Sequence, residues 1–244
     1  MAGPIAQFEI KALGAEAGAS LSEMPFHTFT NSSLWMLITV AAVSIFMIVG
    51  MNRRELVPGP WQSLAESVYE FISGMIKDNV GDEGRKFFPF IFTLFMFVFF
   101  GNLLGLIPYS FTFTSHIIAT FAMGAFVVTG VTLVGLFRHG FKFFGLFVPH
   151  GVPAYMIPVM VPIELISYLS RPVSLAVRLC ANMVAGHMLL KVFAGFVAAL
   201  GLFGILPLGM VVVLTGFEVL VAFLQAYVFT ILTCLYLNDS IHLH

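Results

Sequence analysis

The chain has 244 residues, of which 59% are hydrophobic and only 9% charged, and its mean hydropathy is +1.01. So few polar side chains cannot cover a water-soluble surface, which excludes a soluble globular domain and makes this a polytopic membrane protein. A formal net charge of −1, without clustered Lys and Arg, excludes nucleic acid as a partner, because phosphate binding needs such clusters.

Residues 1–31 hold acids, glycines and only short apolar patches, and lack the basic start and continuous apolar core of a cleavable signal peptide. They read as an exposed amino-terminal arm, followed over 32–244 by a single membrane domain. Apolar stretches near the ~20 residues needed to cross a bilayer run over Ser33–Met51, Phe87–Pro108 and Ser115–Phe137. Between the first two, Trp61, Leu64, Val68, Phe71, Ile72, Met75 and Ile76 recur at three- and four-residue intervals, with Glu66, Glu70 and Lys77 on other faces. That pattern predicts an amphipathic helix over 58–80, lying at the membrane interface or packed on another subunit; the spacing fits both.

A fourth apolar stretch, Met156–Ala199, is too long for one perpendicular span and must tilt, bend or leave the hydrocarbon. The fifth is Leu206–Leu237. The expected fold is therefore all-α, with five membrane-embedded helices, one interfacial helix, and a long antiparallel hairpin over 156–237. Arg53, Arg54, Lys77, Arg85 and Lys86 fall in the first connection, and Arg138 and Lys142 in the third, whereas the second and fourth carry no charge. Basic connections face the cytoplasm, which puts the amino terminus outside and the carboxyl terminus, with Asn238 and Asp239, inside.

Arg178 stands inside the fourth stretch with no acidic residue close by in sequence. An arginine near the bilayer centre costs roughly 2.5–3.5 kcal/mol on insertion scales, so it reads as a functional charge. Counted at about 100° per residue, Glu164, Ser167, Arg171, Ser174, Asn182 and Ala185 share one broad stripe with it. Small residues on that stripe let another helix come close, and the hydroxyls and amide hold water or bond across the contact; for the serines alone, ordinary tight packing explains as much. His187 lies on the opposite face, roughly 14 Å along the axis.

On the last stretch Glu218 and Gln225 nearly superpose on one face. If the two helices pair antiparallel about a turn over Gly201–Gly209, Arg178 and Gln225 fall at one depth, and His187 and Glu218 form a second polar layer nearer the outside. A histidine and a carboxylate at one depth can exchange protons, so this pair reads as a relay.

The string Pro162-Ile163-Glu164-Leu165-Ile166-Ser167, continuing through Ser170-Arg171-Pro172-Val173-Ser174-Leu175 to Arg178-Leu179-Cys180-Ala181-Asn182-Met183-Val184-Ala185-Gly186-His187, resembles subunit a of the rotary F-type ATP synthase. Gly101-Asn102-Leu103-Leu104-Gly105-Leu106-Ile107-Pro108 and Leu224-Gln225-Ala226-Tyr227-Val228-Phe229 support the resemblance, which extends from Phe29 onward.

The resemblance implies a stator in the membrane Fo sector whose last two helices face a rotating c-ring of small proteolipid subunits. Its further partners are peripheral-stalk b-type subunits, the rest of the synthase and membrane lipid. It implies that Arg178 attracts the deprotonated ring carboxylate and blocks direct flow between two offset aqueous half-channels. Asn182 and Gln225 match positions near that arginine, His187 and Glu218 the pair lining the outer half-channel, and Glu164 an acidic position toward the cytoplasmic exit. In many bacterial members the acid stands at the position of His187 and the histidine at that of Glu218, so this chain has the exchanged order of mitochondrial forms. A bacterial inner membrane is the expected location.

A proton-coupled secondary transporter is the alternative, since such proteins also bury Arg, His and Glu at helix breaks, but the chain has no internal repeat. A hydrolase lacks support because serines such as Ser174 lack a histidine at a facing depth. No metal-ligand spacing such as H-E-x-x-H occurs, so neither metal nor cofactor is expected. Cys180 and Cys234 lie in apolar stretches and read as buried thiols, and His139, His150, His242 and His244 as solvated loop or tail residues.

Overall fold

A computed structural model describes residues 10, 29–51, 57–107, 110–140, 143, 145 and 156–242. Most of the amino-terminal arm, with Arg53, Arg54, Lys142 and His150, lies outside these residues. The described chain is helical: α1 (Asn31–Met51), α2 (Pro60–Val80), α3 (Phe88–Gly105), α4 (Ile117–His139), α5 (Ile157–Leu200) and α6 (Ile205–Ile241), with short 3-10 turns at Asp82–Phe87, Phe113–Ser115 and Gly201–Gly204. Among the described residues five helices are long and apolar enough to cross a membrane: α1, α3 together with its preceding turn, α4, α5 and α6. The expected all-α architecture of five spans and one amphipathic helix is what the described residues form.

The boundaries differ from those expected where local chemistry intervenes. α3 stops at Gly105, and the next two amides, of Leu106 and Ile107, bond at 3.2 Å to the carbonyls of Leu103 and Leu104, a tightened last turn. Among the described residues the Gly105 carbonyl then has no helical donor. The final turn of the hairpin is shorter than Gly201–Gly209: it needs only Gly201, at φ +56°, and Gly204, where a Cβ would stand 2.6 Å from the Val197 carbonyl oxygen. Pro207 instead opens α6, because the first helical turn has no N–H partner to lose.

α5 is one helix of 44 residues, roughly 66 Å long, more than twice the hydrocarbon thickness. It runs through Pro162 and Pro172, each of which removes one backbone donor. At the second of these a glycine meets it: a Cβ on Gly124 of α4 would stand 2.9 Å from the Pro172 carbonyl oxygen.

The chain packs as two compact units, Met1–Ala65 with Met96–His116 and Leu179–Ala226, and Glu66–Phe95 with Ile117–Arg178 and Tyr227–His244. In the first, Gly50 of α1 lies against Ala65, Phe46 meets Phe100 at 5.5 Å, and Phe113 seats its ring on Gly101 and against Phe97 at 5.4 Å. In the second, Ile72, Met75, Ile76 and Val80 of α2 are buried, and Tyr69 and Phe71 meet Phe88 and Phe95 at 4.6 and 6.0 Å. Part of the α2 apolar stripe is thus satisfied by its own chain, while Trp61 and Leu64 remain exposed. Since lipid tails are as apolar as these side chains, cohesion rests on close approach at glycines and on bonds such as Ser240 Oγ–H to the Val131 carbonyl (2.9 Å) and Thr132 with Tyr168 (2.5 Å).

Candidate functional site

α5 buries Pro172, Leu175, Ala176, Leu179 and Met183 along one side. Beside them, Ser167, Ser174, Arg178, Asn182 and Ala185 are exposed, and Glu164 and Arg171 are half-buried. The polar stripe therefore runs along an edge of the helix that the described residues cover only in part.

Within the second unit the two arginines of that stripe differ in their surroundings. Arg171 is held by Asp239 of α6 at 3.4 Å, and its guanidinium lies 5.0 Å from the ring centre of Tyr168 and 4.6 Å from that of Tyr236. Arg178, seven residues on, forms no ion pair among the described residues. Arg178 thus stands exposed where Arg171 is already engaged.

Within the first unit α5 and α6 run antiparallel in side-chain contact. Asn182 Nδ2–H donates to Gln225 Oε1 at 2.8 Å, with Gln225 buried. One turn along, Gly186 faces Glu218 so closely that a Cβ there would stand 3.0 Å from the carboxyl carbon. Glu218 is 8% exposed, and neither carboxylate oxygen has a hydrogen-bond donor among the described residues. Asn102 of α3 is fully buried with its amide likewise unpartnered among them. Buried polar groups in that condition are expensive, and membrane spans keep them where their chemistry is used.

His187 is not hydrogen-bonded to Glu218. Its Nε2 lies 2.8 Å from the Gly105 carbonyl oxygen and 3.0 Å from Thr112 Oγ1. Cys180 Sγ reaches the Ser115 carbonyl at 2.9 Å, in the same loop after α3. Sequence reasoning did not single out Gly105, Thr112 or Asn102 as site residues. Thr112 carries no periodicity signal and lies 75 positions from His187, though Gly105 and Asn102 stand in a noted motif. Asp239 was not legible, since the antiparallel register extended toward the carboxyl end puts Arg171 opposite Leu232 to Cys234 and not opposite Asp239.

Ionisable and amide side chains kept within long apolar helices define an all-helical membrane protein of the ion-translocating class. A family model described as ATP synthase A chain matches residues 33–238. The chain is 54% identical over 247 aligned residues to ATP synthase subunit a of Rhodospirillum rubrum, covering 100% of both. It is 52% identical to ATP synthase subunit a of Pelagibacter ubique, over 99% of this chain and 98% of that one, and 56% identical to that of Sinorhizobium medicae, over 88% and 89%. The chain belongs to the ATP synthase A chain family, and is a multi-pass membrane subunit of an ATP synthase.

Proposed function

We propose that the chain is the stator that gives protons access to the carboxylates of a rotating c-ring, through two half-channels that do not meet. The observation that carries this reading is the contrast on one helix edge: Arg171 is neutralised by Asp239, while Arg178 has no counter-ion among the described residues. An intramembrane cation left in that state has its partner elsewhere, and a membrane-buried carboxylate on a passing ring subunit fits.

His187 and Glu218 line the path from outside and Glu164 the path to the cytoplasm, while Ser167, Arg171, Ser174 and Ala185 face the ring. Asn182 and Gln225 bound the region where the ring carboxylate is deprotonated. A carboxylate can enter lipid only when neutral, so the fixed charge of Arg178 sets where the proton must be released. A proton crossing 100 mV yields roughly 2.3 kcal/mol, which the ring converts to rotation. The amino terminus lies outside, the carboxyl terminus inside, in a bacterial inner membrane, with b-type stalk subunits holding the chain still.

Purification of the tagged chain tests this. Stoichiometric recovery of a small proteolipid ring and an ATPase head, with ATP-driven acidification of reconstituted vesicles, is the expected result. Recovery without them, with solute-coupled proton flux, supports the secondary transporter instead.

A further inference from the structure

The surroundings of His187 determine which ring nitrogen can exchange a proton. A carbonyl oxygen only accepts, so Nε2 at 2.8 Å from the Gly105 oxygen must carry hydrogen; a bare lone pair there would face another lone pair. Thr112 Oγ1 donates to the same carbonyl at 3.1 Å, which leaves its own lone pairs facing Nε2–H at 3.0 Å. Ser110 Oγ–H also donates to that oxygen, at 2.9 Å. The acceptor exists because α3 ends there, and the approach exists because residue 105 is glycine: a Cβ would stand 2.7 Å from Thr112 Cγ2 and 2.8 Å from its Oγ1.

We propose that Thr112 is a positioning residue which, with the Gly105 carbonyl, holds His187 as the Nε2–H tautomer, so that the imidazole takes up and gives back its proton through buried Nδ1 alone. An arriving proton forms the Nδ1–H bond and leaves an imidazolium. The same bond breaks on departure, and Nε2–H is never broken, because the Gly105 carbonyl cannot pass a proton on. His187 is then a one-port store and not a link with an entrance at one nitrogen and an exit at the other. This rests on the reading of His187 as part of the proton path.

The test uses the assembled synthase in inverted vesicles. Thr112→Val is expected to lower ATP-driven proton flux about three- to tenfold, the effect of one lost hydrogen bond, and Thr112→Ser to restore it. Gly105→Ala, which displaces the threonine but keeps its hydroxyl, is expected to match the valine variant. His187→Ala is expected to be far worse than either. Flux in Thr112→Val equal to wild type, or as low as in His187→Ala, overturns the inference, the second by making the hydroxyl a link in the path. Wild-type flux in His187→Ala overturns the reading of His187 itself. In wild-type complex labelled with 15N-histidine, the resonance lost in His187→Gln is expected to show Nε2–H; an Nδ1–H signature overturns the tautomer assignment even if the variants fail to assemble.

Discussion

Gly186 leaves the space in which the side chain of Glu218 lies: a Cβ at that position would stand 3.0 Å from the carboxyl carbon and 3.3 Å from Cγ. The carboxylate is thereby set against the backbone of α5 one residue before His187, with no hydrogen bond between the two side chains.

Gly186→Ala should therefore act on Glu218. An added methyl in a packed contact costs about 1–3 kcal/mol or is relieved by turning the carboxylate away. Reduced ATP-driven proton flux in complexes of normal abundance is expected, and the shorter acid in Gly186→Ala combined with Glu218→Asp should recover part of it. A double variant no better than the single one would show that the glycine serves helix packing alone.

Exchange of the outer pair should be milder than loss of either member. A carboxylate at position 187 would face the Gly105 carbonyl unfavourably, but the Thr112 hydroxyl can turn from that carbonyl to the new acceptor while Ser110 continues to satisfy it. Proton flux through His187→Glu with Glu218→His is expected to lie between wild type and the single His187→Ala and Glu218→Ala variants. Equal flux in all of them would remove the pair from the proton path.

Arg178→Ala should abolish ATP synthesis and ATP-driven pumping while permitting passive leak, since under the proposed mechanism nothing then separates the two paths electrically. Arg178→Lys should not restore coupling, because a lysine in that setting can lose its proton. Synthesis retained in vesicles carrying the alanine variant would sink the proposed role.

The Arg171 cluster makes a prediction of the opposite kind, for stability and not for transport. The ion pair with Asp239 is partly open, the two side chains being 19% and 43% exposed, so Asp239→Asn should cost about 1 kcal/mol or less. Arg171→Lys keeps the charge but loses the planar contact with two tyrosine rings, each worth about 0.5–1 kcal/mol. Thermal unfolding of the solubilised complex should rank the lysine variant as the less stable; the reverse order would make the ion pair the dominant contact.

The distribution of apolar residues was enough to find every span to within a few positions, because a helix in lipid must be long and apolar whatever it packs against. It also marked Arg178, His187, Glu218 and Gln225, since ionisable and amide groups stand out in such segments. The α2 stripe was legible as amphipathic, but the partner of its buried part was not, because the same pattern serves a lipid interface, another subunit or the chain itself.

By itself, then, the sequence determined an all-helical membrane chain, the spans that compose it and the residues too costly to be there by chance. Tertiary structure alone decided which of these are already satisfied. Arg171 found Asp239 across the hairpin, and His187 found a helix-end carbonyl and a threonine from a loop. Among the described residues Glu218 found no donor, only the room left by a glycine. The reason is physical: a helical period places a side chain on a face, but a hydrogen bond is fixed by the direction and distance of a partner that folding brings from elsewhere in the chain.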